Sequence, residues 1–117
     1  MADVKFEVVN TVIPAATGAG QTRDIIIAGF GTVKGALFIT SGTDQFDLNF
    51  TQSRINVGTY DGTRQRSIST YSQDGQTTTT NTLRRQTDFA VLRPAGSGIA
   101  YEAVQFIPDG VQISSLQ

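Results

Sequence analysis

The stretch Arg54-Ile55-Asn56-Val57-Gly58-Thr59-Tyr60-Asp61-Gly62-Thr63-Arg64-Gln65-Arg66-Ser67-Ile68-Ser69 decides the fold class. Its first half alternates. Ile55, Val57 and Thr59 fall on one face, a period of two that suits a strand and not a helix. Asp61-Gly62 follows, and the pair signals a hairpin because Gly accepts a positive φ without steric cost. From Arg64 to Ser72 a weaker alternation resumes, so one continuous run holds two strand-like arms around a turn.

Similar signals extend in both directions. Upstream, Phe46, Leu48 and Phe50 alternate with Asp47 and Asn49, after a polar turn over 41–45. Val33 to Thr40 is the strongest strand signal. It carries apolar residues on both faces (Val33, Leu37 and Ile39; Ala36 and Phe38), which predicts a central position. Asp24 to Ala28 contains Ile25, Ile26 and Ile27 in a row and is ended by Gly29-Phe30-Gly31. Val4, Phe6 and Val8 alternate with Lys5 and Glu7, as in a half-buried strand, and 15–21 reads as a loop. Downstream, Asp74-Gly75 is a second turn. The β-branched, polar run Thr77 to Thr80 suits an extended segment facing solvent. Asp88 to Arg93 alternates again, Pro94 and Gly96-Ser97-Gly98 form a loop, and Ala100 to Ile107 is a strand. Pro108-Asp109-Gly110 turns the chain into Val111 and Ile113. The total is about eight or nine strands, at the spacing of sandwiches and barrels. The expectation is therefore one all-β domain over residues 1–117, an antiparallel β-sandwich of jelly-roll-like form. It is preferred to a closed barrel, with the Thr run as a polar edge.

Composition narrows the function. A chain of 117 residues fits a single domain, and at this size about two-thirds of the unfolded surface is buried on folding. Cys, His and Trp are absent. That removes disulfides and thiolate metal sites, the side chain that titrates near neutrality, and most nucleophile–base pairs. The net charge of −1 argues against a dedicated nucleic-acid binder. Of the basic residues only Lys5 and Lys34 are Lys and the rest are Arg, the bias that interfaces show. The opening Met1-Ala2-Asp3-Val4-Lys5-Phe6 lacks the basic-then-apolar pattern of a secretory signal, and apolar runs such as Ile25 to Ala28 are too short to cross a bilayer.

The candidate acids each have a simpler role. Asp61, Asp74 and Asp109 all precede Gly, where Asp bonds its own backbone and tolerates turn geometry. Glu7 and Glu102 sit among apolar strand residues, where an outward-facing alternation accounts for them. Asp44 and Asp47 flank a turn but offer too few oxygens for a calcium ion. Gly29-Phe30-Gly31 and Gly96-Ser97-Gly98 lead into no helix, so neither is a phosphate cradle. No catalytic residue, cofactor or metal is expected. The interface candidates are Arg64 and Arg66, on one face by period two, Arg84 and Arg85 on the next arm, and the aromatic rings of Tyr60 and Tyr71, with Tyr101 beside them. The arginines suit an acidic protein surface, a glycan carboxylate or a phosphate. They equally suit a solvated face paired locally with Asp61 or Asp88, and the tyrosines equally suit caps on a sandwich edge.

Three stretches taken together resemble a β-domain found in virion structural proteins of tailed bacteriophages. They are Ile13-Pro14-Ala15-Ala16-Thr17 leading to Ile25-Ile26-Ile27-Ala28-Gly29-Phe30-Gly31, then Lys34-Gly35-Ala36-Leu37-Phe38-Ile39-Thr40, then 55–69 with Asp74-Gly75 and the Thr-rich run. The resemblance spans about residues 12 to 113 and implies a structural component of the virion, assembled in the cytoplasm of a bacterial host. The function it implies is a capsid decoration, or cement, protein. Such a protein would contact the major capsid protein or other virion subunits and form homo-oligomers, trimers among them, with no membrane or nucleic-acid partner. A glycan- or receptor-binding module of a tail fibre or baseplate is the alternative. A small glycosidase is the third reading, and it lacks a spaced pair of carboxylates.

Overall fold

The computed structural model describes residues 4–11, 22–41, 52–73, 75, 82–95 and 98–115. Eight strands lie among them: β1 (Thr22–Ile26), β2 (Ala36–Ser41), β3 (Gln52–Tyr60), β4 (Gln65–Gln73), β5 (Thr82–Thr87), β6 (Val91–Ala95), β7 (Gly98–Ile107) and β8 (Gly110–Ser115). They form two four-stranded sheets, β1-β8-β7-β6 and β2-β3-β4-β5, and every pairing is antiparallel. The chain is an all-β sandwich. Its connectivity is simpler than the expected jelly roll, because β2 to β5 and β6 to β8 run as two meanders and β1 closes the second sheet beside β8.

The hairpin at Asp61-Gly62 is where the sequence places it, with Tyr60 opposite Gln65. Asp61 Oδ1 accepts the backbone N–H groups of Thr63 (2.8 Å) and Arg64 (2.7 Å), and Gly62 takes a φ of 93°. Asp109 turns β7 into β8 at a φ of 62°. Its carboxylate accepts Gly31 N–H at 2.6 Å, which ties this turn to the loop after β1.

Three strand expectations change: Pro94 and Gly98, expected in a loop, lie in β6 and β7, where they pair with Ile99 and Ala95. The signal at Val33 to Thr40 yields β2 from Ala36 only, and among the described strands β2 lies at the edge of its sheet and not in the centre. Its two apolar faces have different fates: Ala36 and Phe38 pack towards the core while Leu37 and Ile39 face outward. Val4 to Val8 belongs to no strand and is exposed throughout. The expected segments at Phe46 to Phe50 and Thr77 to Thr80 lie outside the described residues, as do Asp44, Asp47, Asp74, Gly96 and Ser97.

The core is supplied mainly by one sheet. Val91 of β6, Val104 of β7, and Val111 and Ile113 of β8 are buried together with Ala90. Ile25, Val33, Ala36, Phe38, Tyr60 and Phe106 pack around them. Register enforces this grouping, since Val104 lies opposite Ile113 and Phe106 opposite Val111. Glu102 shares the phase of Val104 and Phe106, so it too points inward and is only 1% exposed. This corrects the expectation of an outward Glu102: the pleat decides its side once the apolar residues two and four positions on are inside.

The second sheet meets the core through small and polar residues. Asn56, Gly58, Ser67 and Ser69 occupy the inner face of β3 and β4 and are buried. Gly58 lies so close to Ala90 that a Cβ there would be 1.7 Å from the Ala90 carbonyl oxygen. The Asn56 side chain donates to that same carbonyl at 3.1 Å, and Ser69 Oγ donates to Asn56 Oδ1 at 2.6 Å. Gln65 completes the junction, accepting Ala90 N–H and donating to Val104 C=O, each at 3.1 Å. Side-chain amides thus satisfy both backbone groups of Ala90 where the chain crosses between sheets, as buried polar groups require.

Candidate interaction surface

The polar inner face of β3 and β4 has a direct consequence on the other side. Because successive residues alternate across a sheet, placing Asn56, Gly58, Ser67 and Ser69 inside puts Ile55, Val57 and Ile68 outside, and all three are exposed. β2 adds Leu37 and Ile39, which are 61% and 72% exposed. Register aligns them: Ile39 lies opposite Val57, and Val57 opposite Ile68, so one apolar row crosses three strands. Leu37 and Ile55 flank that row on the same face. A solvated antiparallel sheet normally turns its polar phase to water. Here the order is reversed, and contiguous apolar surface is exposed on the outer face.

The charged candidates border this face without forming one cluster. Arg66 lies opposite Thr59 on the outer face and makes an ion pair with Asp88 at 2.7 Å. Arg84 lies opposite Thr70 on that face as well, which places it about 13 Å along the sheet from Arg66. Arg85 falls on the opposite face, across from Ser69. Arg64 precedes β4 and belongs to the turn, where its N–H caps Asp61. The two sets, Arg64 with Arg66 and Arg84 with Arg85, therefore do not form one cluster. The local pairing with Asp88, weighed as its alternative, is present.

The tyrosines serve the fold. Tyr71 is only 2% exposed, which corrects the expectation of a ring available to a partner. The guanidinium of Arg54, its cross-strand neighbour, lies 5.4 Å from the ring centroid. Tyr60 packs against Phe106 of the opposite sheet at 4.5 Å between centroids, and its hydroxyl donates to Gly62 C=O at 3.0 Å. It caps one end of the sandwich and braces the hairpin. Tyr101 lies opposite Leu92 on β7, and its side chain is outside the described set.

Asp61 and Asp24 are likewise engaged within the fold. The two N–H groups at Asp61 hold its carboxyl below the usual carboxylate range, the Arg64 amide contributing most and the Thr63 amide next. Asp24 accepts Gln112 Nε2 at 2.9 Å, and Gln112 in turn accepts from Gln105 at 2.7 Å, a polar ladder across β1, β8 and β7. Among the described residues no three His, Cys, Asp or Glu side chains come together as a metal site would require. Comparison with protein-family models, with curated proteins and with solved structures finds no match to this chain.

The apolar face is the feature that a reading of the sequence missed. Ile55, Val57 and Thr59 were legible as one face. Its partner phase, Asn56 and Gly58 with Ser67 and Ser69, is polar and by default faces water, so nothing local signals that the apolar face points away from the core.

Proposed function

We propose that this chain is a non-catalytic structural protein of a tailed-bacteriophage particle, a capsid decoration protein that binds shell subunits through protein–protein contacts. The single observation that supports a contact role is the outward apolar row Ile39–Val57–Ile68 with its flanking Leu37 and Ile55. Exposed polar rims at Arg66, Asp88 and Arg84 suit an interface that is apolar at its centre and charged at its margin. The resemblance of 12–113 to virion β-domains supplies the particle. A homo-oligomer placed around capsid symmetry axes, a trimer among them, presents several copies of this face at once, so modest contacts add up.

A glycan-binding tail module needs exposed aromatic and polar groups, for which Tyr60, Tyr71 and Asp61 are the candidates, and all three are engaged within the fold. The test is binding of the purified chain to shells lacking it. The expected result is saturable binding that Val57→Glu or Ile68→Lys abolishes while the fold persists. Binding unaffected by both substitutions would overturn the assignment of this face.

A further inference from the structure

The charges on the outer face of β2 to β5 are placed by the same register as its apolar row. Ile68 lies opposite Gln86, so the row Ile39–Val57–Ile68 ends on Gln86 of β5. Arg84 and Asp88 stand two residues before and two after Gln86. Alternation puts both on the outer face, about 7 Å to either side of the row. Arg84 is exposed, and the Asp88 side chain is 82% exposed while it pairs with the outward Arg66 at 2.7 Å.

An apolar row with a cation on one side and an anion at the same distance on the other is complementary to itself. A twofold axis running along the row turns a second copy face down and exchanges the two sides. Ile39, Val57 and Ile68 then lie on their own counterparts, and Ile55 lies on the partner's Thr59. Arg84 of each copy meets the partner's Asp88, and the contact occurs twice. A twofold axis along the strands gives no such match. It lays β2 on β5 and sets Asp88 over the apolar Leu37 and Arg84 over Ser41. Sheets packed face to face stand about 10 Å apart and cross at about 30°. Arg84 has the length to reach across that gap to a carboxylate.

We propose that in the free protein this face pairs with the same face of a second copy, as an isologous dimer clasped by two Arg84–Asp88 contacts between copies. The inference rests on the contact role given to the face above and names its occupant in solution; the dimer opens before the same face meets a shell. The size of the face sets the strength. Four strands about 4.8 Å apart and three rows about 7 Å apart give each copy a footprint of about 400 Å². Permanent dimers bury several times that area, so this one is reversible and depends on concentration.

The test is charge exchange between copies, read by sedimentation velocity of the full chain from micromolar to millimolar concentration. Wild type is expected to pass from monomer to dimer. Arg84→Asp alone sets Asp against Asp at both ends of the dimer, and Asp88→Arg alone sets Arg against Arg. Each is expected to weaken dimerisation at least tenfold while leaving the denaturation midpoint in place, since both side chains are exposed. An equimolar mixture of the two variants restores an opposite-charge contact at each end, and is expected to form a mixed dimer of near wild-type strength. A wild-type chain that stays monomeric throughout would overturn the proposal, as would a mixture that associates no better than its components. Shell binding that persists in such a monomeric chain would remove this inference and leave the particle reading standing.

Discussion

Gly58 of β3 passes directly beneath Ala90, with room for a hydrogen and not for a methyl group: a Cβ would sit 1.7 Å from the Ala90 carbonyl oxygen and 2.6 Å from its carbon. The contact is backbone on backbone, so no side chain can swing away to relieve it. Gly58→Ala is expected to push the crossover off the second sheet and cost about 3 kcal/mol, the upper part of the overpacking range. Urea denaturation followed by circular dichroism reads the loss directly, and a cost below about 0.5 kcal/mol would show that the sheets do not meet there.

Two serines on the same strand and the same face should behave oppositely. Ser69 Oγ donates to the buried Asn56 Oδ1 at 2.6 Å, whereas Ser67 Oγ is buried and has no hydrogen-bond partner among the described residues. Ser69→Ala is expected to destabilise by about 1 kcal/mol, and Ser67→Ala to be neutral or stabilising, because it deletes a hydroxyl whose desolvation is not repaid. Matched denaturation curves for the two variants are the check, and equal losses would sink the assignment.

These two relationships also show what could be read from the residues and what could not. Alternation located β3, the hairpin at Asp61-Gly62 and β4, since period two and turn chemistry are local properties. Which phase faces the core is a tertiary property. It was readable at Glu102, whose neighbours Val104 and Phe106 share its side of the strand, but a lone carboxylate is so rarely buried that the outward reading prevailed. At Val57 and Ile68 the choice was made by Ala90, more than twenty residues away in sequence, whose close approach demands Gly58 and small polar neighbours. Likewise nothing local distinguishes an edge strand from a central one, so β2 was misplaced. The arginine candidates do not share one face, because Arg84 and Arg85 are neighbours on β5 and alternation sends them to opposite sides of the sheet.

The turn at Asp61 should be visible in the pH dependence. Its carboxyl is held below its ordinary value of 3.8 by the amides of Arg64 and Thr63. A depressed folded-state pKa means stability that is present above the unfolded value and lost as pH falls through the folded one. Wild type is therefore expected to exceed Asp61→Asn in stability at neutral pH, with the gap closing as pH drops below 3.8. Carboxyl-detected NMR titration is the measurement, and a midpoint at or above the ordinary value would contradict the geometry.

Charge removal at the rim should leave the fold intact. Arg66 and Asp88 are both well exposed, and surface pairs of this kind contribute about 0–1 kcal/mol. Arg66→Ala is expected to change stability by less than about 0.5 kcal/mol, a difference that added salt should shrink further. A larger, salt-independent loss in a denaturation series would show that Arg66 belongs to the core architecture and not to the border of the contact face.

The central claim is that this chain makes contacts within a particle. It is tested most directly by quantitative mass spectrometry of gradient-purified phage particles, counting copies of the chain against the major capsid protein. The expected result is a fixed, many-copy stoichiometry that survives high-salt washing and is lost from particles carrying Val57→Glu. Absence of the wild-type chain from purified particles would contradict it.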